Sequence, residues 1–210
     1  PVKLSRLLYP LYEARLVREL KGARQPKHIA IMADGNRRWA RAEGHSDVSH
    51  GHRAGAKKIG EVVRWCEETA VEVVTVYLLS TENLGRDAQE LEMLFGIIGD
   101  VVDELSSGDH TCCVRLVGHL DLLPRDVAER WSAAADSTCG NTGLTVNIAV
   151  GYGGRQEIVD AVRNLIDEEV AAGTTAGELS SKVTADSLSH HLYTSGQPDP
   201  DLVIRTSGEQ

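Results

Sequence analysis

The 210 residues carry 22 Lys and Arg against 31 Asp and Glu, a formal net charge of −9, and are 41% hydrophobic but only 4% aromatic. A chain of this length can bury the core of one domain. Its acidity argues against non-specific nucleic-acid binding, its scarce aromatics against stacking of single-stranded bases, and the lack of any run of about 18 apolar residues against a transmembrane helix.

Residues 4–20 place Leu4, Leu7, Leu8, Leu11, Leu16, Val17 and Leu20 near helical spacing, with Arg and Glu between them. This predicts an N-terminal amphipathic helix within residues 1–24, interrupted at Pro10. Packing on the body, a dimer contact and, through Arg6, Arg15 and Arg18, a bilayer surface are its open uses. Residues 29–33 are a short apolar run that predicts a buried strand. Asp34-Gly35-Asn36 is a turn signal, and Arg37, Arg38, Trp39, Ala40 and Arg41 read as a helix start. Backbone N–H groups and Arg forks there suit phosphate oxygens, and the Asp34 carboxylate suits a bridging Mg²⁺. On local pattern alone, a strand, a turn and a solvated basic helix explain the stretch as well.

After a polar loop at 44–50, Gly51-His52-Arg53-Ala54-Gly55 opens a helix with Ile59, Val62, Val63 and Cys66 on one face. Residues 71–79 are rich in β-branched side chains and predict a second buried strand, ending in the loop 80–86. Asp87 caps a long helix through 105. A strand is expected at 112–117, a helix at 123–135, a strand at 143–150 with the loop 151–155, and a further helix carrying Ile158, Val159, Val162, Leu165 and Ile166. A short helical region follows at about 185–192, then a fifth strand at 201–204 and the terminal residues 205–210.

Strands alternating with helices predict one α/β domain over 1–210 with a mainly parallel sheet flanked by helices. Cys66, Cys112, Cys113 and Cys139 form no C-x-x-C pair. They read as reduced packing cysteines of a cytoplasmic protein, with Cys112 and Cys113 pointing to opposite faces and zinc not expected. The polar, Gly- and Arg-rich loops all follow predicted strands, and in open parallel sheets the carboxyl ends of strands line the ligand crevice. That pools Asp34, Asn36, Arg37, Arg38, His52, Ser80, Glu82, Asn83, Arg86, Arg155, Arg205 and Glu209, a set suited to a ligand with more than one phosphate group. No P-loop, G-x-G-x-x-G or G-x-S-x-G signature is present. His52 reads equally as a packing residue, Glu82 as a turn residue and Arg155 as a partner of the sheet's carbonyl ends.

Five blocks carry a family resemblance: H-I-A-I-M-A-D-G-N-R-R-W-A from His28, G-H-R-A-G-A from Gly51, S-T-E-N-L-G-R from Ser80, N-I-A-V-G-Y-G-G-R from Asn147 and D-L-V-I-R-T-S-G-E from Asp201. In this order they closely resemble the cis-prenyltransferases, the undecaprenyl diphosphate synthase-like enzymes. The resemblance implies condensation of isopentenyl diphosphate onto an allylic diphosphate with a new Z double bond, in a Mg²⁺-dependent cytoplasmic homodimer. It implies that Asp34 holds the Mg²⁺ and that Gly35, Asn36, Arg37, Arg38 and Arg86 cradle the allylic diphosphate. It also puts Asn83, Ser80 and His52 near the reacting carbons and the leaving proton, Arg205 at isopentenyl diphosphate, and Trp39 and Leu84 among the substrate contacts.

Leu84 stands where the family usually has an aromatic and resembles the actinobacterial short-chain branch, which makes (2Z,6E)-farnesyl diphosphate from geranyl diphosphate. Leu78 and Leu79 are expected to close a product tunnel early, between the sheet and the helix through 105. The family continues past R-T-S-G-E, so its C-terminal segment is expected to be missing here. A long-chain C50–C55 synthase and a non-catalytic partner subunit are the competing readings.

Overall fold

In the computed structural model, residues 4–20, 22–107 and 110–208 are described. Five strands form one sheet in the order β3-β4-β2-β1-β5, with all four pairings parallel. They are β1 (His28–Met32), β2 (Val73–Ser80), β3 (Cys113–Val117), β4 (Thr145–Tyr152) and β5 (Leu202–Arg205). The helices are α1 (Leu4–Leu20), α2 (Asn36–Ala42), α3 (Ser49–Glu67), α4 (Ala88–Ser106), α5 (Arg125–Asp136), α6 (Gly154–Ala171), α7 (Ala176–Lys182) and α8 (Ala185–Ser189). The expected α/β class and parallel sheet are found.

The main core lies on one face of the sheet. Ile31, Val74, Val76, Val114, Val146, Ile148 and Val150 pack there with Ile59 and Val63 of α3, Leu94, Ile98 and Val102 of α4, and Trp131 of α5. The strands are apolar on this face because alternate residues share it. The other face buries polar groups as well: His28, Thr75 and Asn147 are 2%, 2% and 0% exposed.

Several expectations are corrected. The helix at 4–20 forms, but its apolar positions do not keep to one side along its length. Leu11 and Leu20 are nine residues apart, two and a half turns at 3.6 residues per turn, so they lie on opposite sides, and both are exposed. β2 extends through Ser80, and a 3₁₀ turn at Glu82–Gly85 replaces the simple loop. β4 runs on to Tyr152, which places Arg155 in the first turn of α6. Helix α7 occupies a stretch in which no helix was expected. Cys112 is buried and Cys113 half-buried, in line with their opposite faces, and all four cysteines are free thiols. Glu209 lies outside the described residues. Among those described, no helix is long and apolar enough to cross a membrane.

Candidate active site

The carboxyl ends of β1, β2, β4 and β5 open onto one cleft of about 330 Å³. Asp34, Asn36, His52, Ser80, Asn83, Arg86, Arg205 and Tyr152 give it a polar mouth. Leu78, Leu79, Ile59, Leu94, Ile98 and Val101 wall its interior. Leu78 and Leu79 are neighbours in one strand, yet both line the cleft. The register of β2 against β4 shifts between Tyr77 and Leu79 and again before Ser80, and such irregularities re-aim side chains.

At the mouth, Arg205 Nη2 and Nε donate to Asp34 Oδ2 at 2.9 and 3.3 Å. The Gly35 N–H donates to Asp34 Oδ1 at 2.6 Å. Thr206 ties the same turn through its hydroxyl, which donates to the Asp34 carbonyl at 2.6 Å and accepts the Asp34 N–H at 3.0 Å. The Arg205 hydrogen bond, helped by the Gly35 N–H, holds the Asp34 carboxyl below the usual carboxylate range against desolvation by burial. Gly35 has φ 92°, a left-handed conformation that favours glycine.

Asn36 begins α2, and α3 is built to receive it. A Cβ on Gly51 would lie 2.0 Å from the Asn36 carbonyl oxygen, and one on Gly55 would lie 2.8 Å from its side-chain oxygen. The two glycines of G-H-R-A-G therefore let α3 approach the Asp34-Gly35-Asn36 turn.

Glu90 of α4 is a residue that the sequence reading did not single out. Its Oε1 lies 3.0 Å from Arg86 Nη1, 3.7 Å from Arg37 Nη1 and 3.9 Å from His52 Nε2. One carboxylate thus gathers three groups of the expected site. His52 is largely buried, and its Nε2 finds no hydrogen-bond partner among the described residues. Burial, and then the Arg86 charge, lower its pKa and favour the neutral ring. The Ser80 hydroxyl accepts the Asn83 N–H at 3.2 Å, and Ser80 beside it holds the Glu82 carboxyl below its ordinary range. Glu82 lies at the start of the 3₁₀ turn.

Of the other expected site residues, Arg38 leans over Gly35, its Nη2 3.8 Å from where a Cβ there would sit. Gly35 and Trp39 line an adjoining apolar cleft with Val62 and Ile204. Leu84 sits in the 3₁₀ turn, packed against the core, and is not among the residues lining the cleft. Tyr77 and Tyr152 meet edge to face, ring centroids 5.0 Å apart, and the Tyr152 hydroxyl donates to Glu157 at 2.6 Å. That pair was missed because only the assembled sheet brings it to the cleft. Glu90 was missed because the α4 sequence was read for its apolar positions. Its spacing of four residues from Arg86, an ion-pair spacing on a helix, was the available signal.

Known proteins place the chain. The family model described as "Putative undecaprenyl diphosphate synthase" matches residues 31–210. "Isoprenyl transferase 1" of Corynebacterium diphtheriae is 72% identical over 202 residues, 96% of this chain and 76% of that protein. The "(2Z,6E)-farnesyl diphosphate synthase" of Mycobacterium tuberculosis is 55% identical over 212 residues, covering 100% of this chain and 81% of that protein. The crystal structure of lavandulyl diphosphate synthase from Lavandula x intermedia, in complex with dimethylallyl diphosphate, superposes with a TM-score of 0.78 at 30% identity, over 88% of this chain and 79% of that one. With fold, cleft, family model and relatives in agreement, the chain belongs to the cis-prenyltransferase family of undecaprenyl diphosphate synthase-like enzymes.

Proposed function

We propose that this chain condenses isopentenyl diphosphate with geranyl diphosphate to give (2Z,6E)-farnesyl diphosphate and diphosphate. The observation that carries the reading is one cleft with a charged mouth at Asp34, Arg86 and Arg205 and a short apolar interior at Leu78, Leu79, Leu94 and Val101. Its volume of about 330 Å³ is at the small end for ligand pockets, which favours a short product.

The reaction breaks the allylic C1–O bond, so that diphosphate leaves with the electron pair. The terminal alkene carbon of isopentenyl diphosphate bonds to C1, and loss of a proton from its C2 sets the new double bond. Negative charge builds on the leaving diphosphate. Arg86 and Arg205 at the mouth, with Arg37 and Arg38 of α2, are the groups placed to bind diphosphate oxygens. The turn at Gly35 and Asn36 is their backbone complement. Asp34 offers one half-exposed carboxylate there. That donor set fits Mg²⁺, which binds through one or two carboxylates and takes the rest of its shell from substrate phosphates and water. When bound, the ion neutralises charge on the departing diphosphate.

Ser80, Asn83 and His52 belong to the polar mouth of the same cleft. A neutral His52 adds no repulsion toward a developing allylic cation. The leucine and isoleucine walls keep out water, which would otherwise capture that cation. The reading includes a homodimer in the cytoplasm, with α1 in peripheral contact with a bilayer surface.

The test is a product assay with Mg²⁺, labelled isopentenyl diphosphate and either geranyl or E,E-farnesyl diphosphate. A single Z,E-C15 product from geranyl diphosphate is expected. A product in the C50 range would assign the long-chain activity instead. No product from either starter, with the full gene product, would assign a non-catalytic role.

A further inference from the structure

On the face of the sheet away from the main core, three polar side chains stand side by side on adjacent strands: His28 on β1, Thr75 on β2 and Asn147 on β4. Thr75 and Asn147 are direct register partners. All three are buried, where an unpaired polar atom is costly, and all three are paired.

The hydrogen bonds have a fixed direction. The His28 Nδ1 lies 2.7 Å from the Pro198 carbonyl, which can only accept, so Nδ1 carries the proton. In that tautomer its Nε2 is an acceptor, and it lies 2.8 Å from Thr75 Oγ1. The Thr75 hydroxyl therefore donates to His28. The same oxygen accepts from Asn147 Nδ2 at 3.0 Å. Asn147 in turn exchanges two amide hydrogen bonds with Gln197, at 2.6 and 3.1 Å. The relay thus starts at Gln197, crosses three strands and returns to the next residue, Pro198. Its one indispensable link is the Thr75 hydroxyl, which donates and accepts at once.

Both ends of the relay hold the segment that leads into β5. Three residues further on, the Asp201 carboxylate accepts the N–H groups of Lys27 and His28, at 2.7 and 3.2 Å. β5 then pairs with β1 as the edge strand, bringing Arg205 opposite Met32 and into reach of Asp34. β5 itself contributes almost no burial, since all four of its residues are exposed. Its placement thus rests on the ladder with β1, on the Thr206 bonds to Asp34 at its exit, and on the polar anchors at its entry.

We propose that Thr75, through His28 and Asn147, is a positioning centre for Arg205. It fixes residues 197–201 to the sheet, sets the register of β5, and thereby sets the reach of the guanidinium at the cleft mouth. The inference rests on the functional reading only for its kinetic consequence, because the anchoring itself is a property of the fold.

The test compares Thr75→Val, which keeps the shape and removes the hydroxyl, with Thr75→Ser, which keeps the hydroxyl. Amide hydrogen exchange is read across all strands, and KM is measured separately for isopentenyl diphosphate and for the allylic starter. Thr75→Val should speed exchange at 202–206 about tenfold, with the amides of β3 and β4 little changed. It should raise KM for isopentenyl diphosphate by about the same factor and leave that of the starter within about twofold. Thr75→Ser should restore both. Unchanged exchange at 202–206, or an equal rise in every strand, would overturn the proposal, as would a Ser variant that fails like Val. If the wild-type chain makes no product, the functional reading fails, and the exchange data still decide the anchoring.

Discussion

Arg205 and Asp34 share one oxygen: Nη2 and Nε of the arginine both point at Asp34 Oδ2, at 2.9 and 3.3 Å. The group proposed for isopentenyl diphosphate is thus held by the group proposed for Mg²⁺. On the proposed roles, filling either half of the site competes with this pair, which couples the two halves.

Arg205→Gln separates the two effects by sign. Losing the fork should raise KM for isopentenyl diphosphate by roughly tenfold or more, the cost of a charge-assisted hydrogen bond of about 1.5–3 kcal/mol. Freeing Asp34 Oδ2 of its competitor should lower the Mg²⁺ concentration at half-maximal rate. Steady-state kinetics across a Mg²⁺ titration reads both, and an unchanged KM would take Arg205 out of the site.

Two glycine substitutions distinguish close approach from open space. At Gly51 a Cβ would stand 2.0 Å from the Asn36 carbonyl oxygen, a backbone atom that can yield only if α2 or α3 moves. Gly51→Ala should cost about 1–3 kcal/mol in chemical denaturation and depress activity by shifting the Asp34-Gly35-Asn36 turn. Gly96 lies inside α4 with nothing within 4 Å of its would-be Cβ. Gly96→Ala should stabilise by roughly 0.5–1 kcal/mol through helix propensity and leave kinetics alone.

What the sequence revealed, and what it withheld, follows from which interactions are local. The strands at 29–33, 71–79 and 143–150 were legible because buried parallel strands are apolar runs, and their loops because Gly and Arg mark strand ends. Helix α7 was missed although Thr175 and Glu178 form a capping box, with Glu178 accepting the Thr175 N–H at 3.1 Å. It buries no residue, so it has no apolar period to read. The relay through Thr75 was invisible because it depends on lateral strand register, which a linear pattern does not display. The double exposure of Leu78 and Leu79 to the cleft depends on a register shift, again a property of pairing. The leucines of α1 fall near helical spacing without keeping to one side over its length, which spacing between neighbours does not display.

Leu78 is half-buried and lines the cleft, whereas Leu79 is 2% exposed and belongs to the core as well. Removing the Leu78 side chain should therefore extend the cleft at little structural cost, and Leu78→Ala should lengthen the product beyond C15. Leu79→Ala should be destabilising first, by about 2–5 kcal/mol as a core cavity. Chromatography of products together with urea denaturation tells the two apart. An unchanged product from Leu78→Ala would remove this residue as the determinant of chain length.

His52 and Glu90 give the pH dependence its sign. Burial, followed by the Arg86 charge, lowers the His52 pKa below 6.5, with Glu90 acting in the opposite direction. On acidification the unfolded chain takes up the proton first, so more protons are bound in the unfolded state and stability falls as pH drops below 6.5. His52→Gln, which cannot titrate, should flatten that part of the Tm-against-pH curve. Glu90→Gln removes a nearby carboxylate that favours the charged ring and should move the His52 titration lower still, as followed by NMR of the imidazole. It should also loosen Arg86, whose Nη1 lies 3.0 Å from the Glu90 carboxylate, and raise KM for the diphosphate substrates. An upward shift of the His52 titration in Glu90→Gln would overturn the role given to the Glu90 charge.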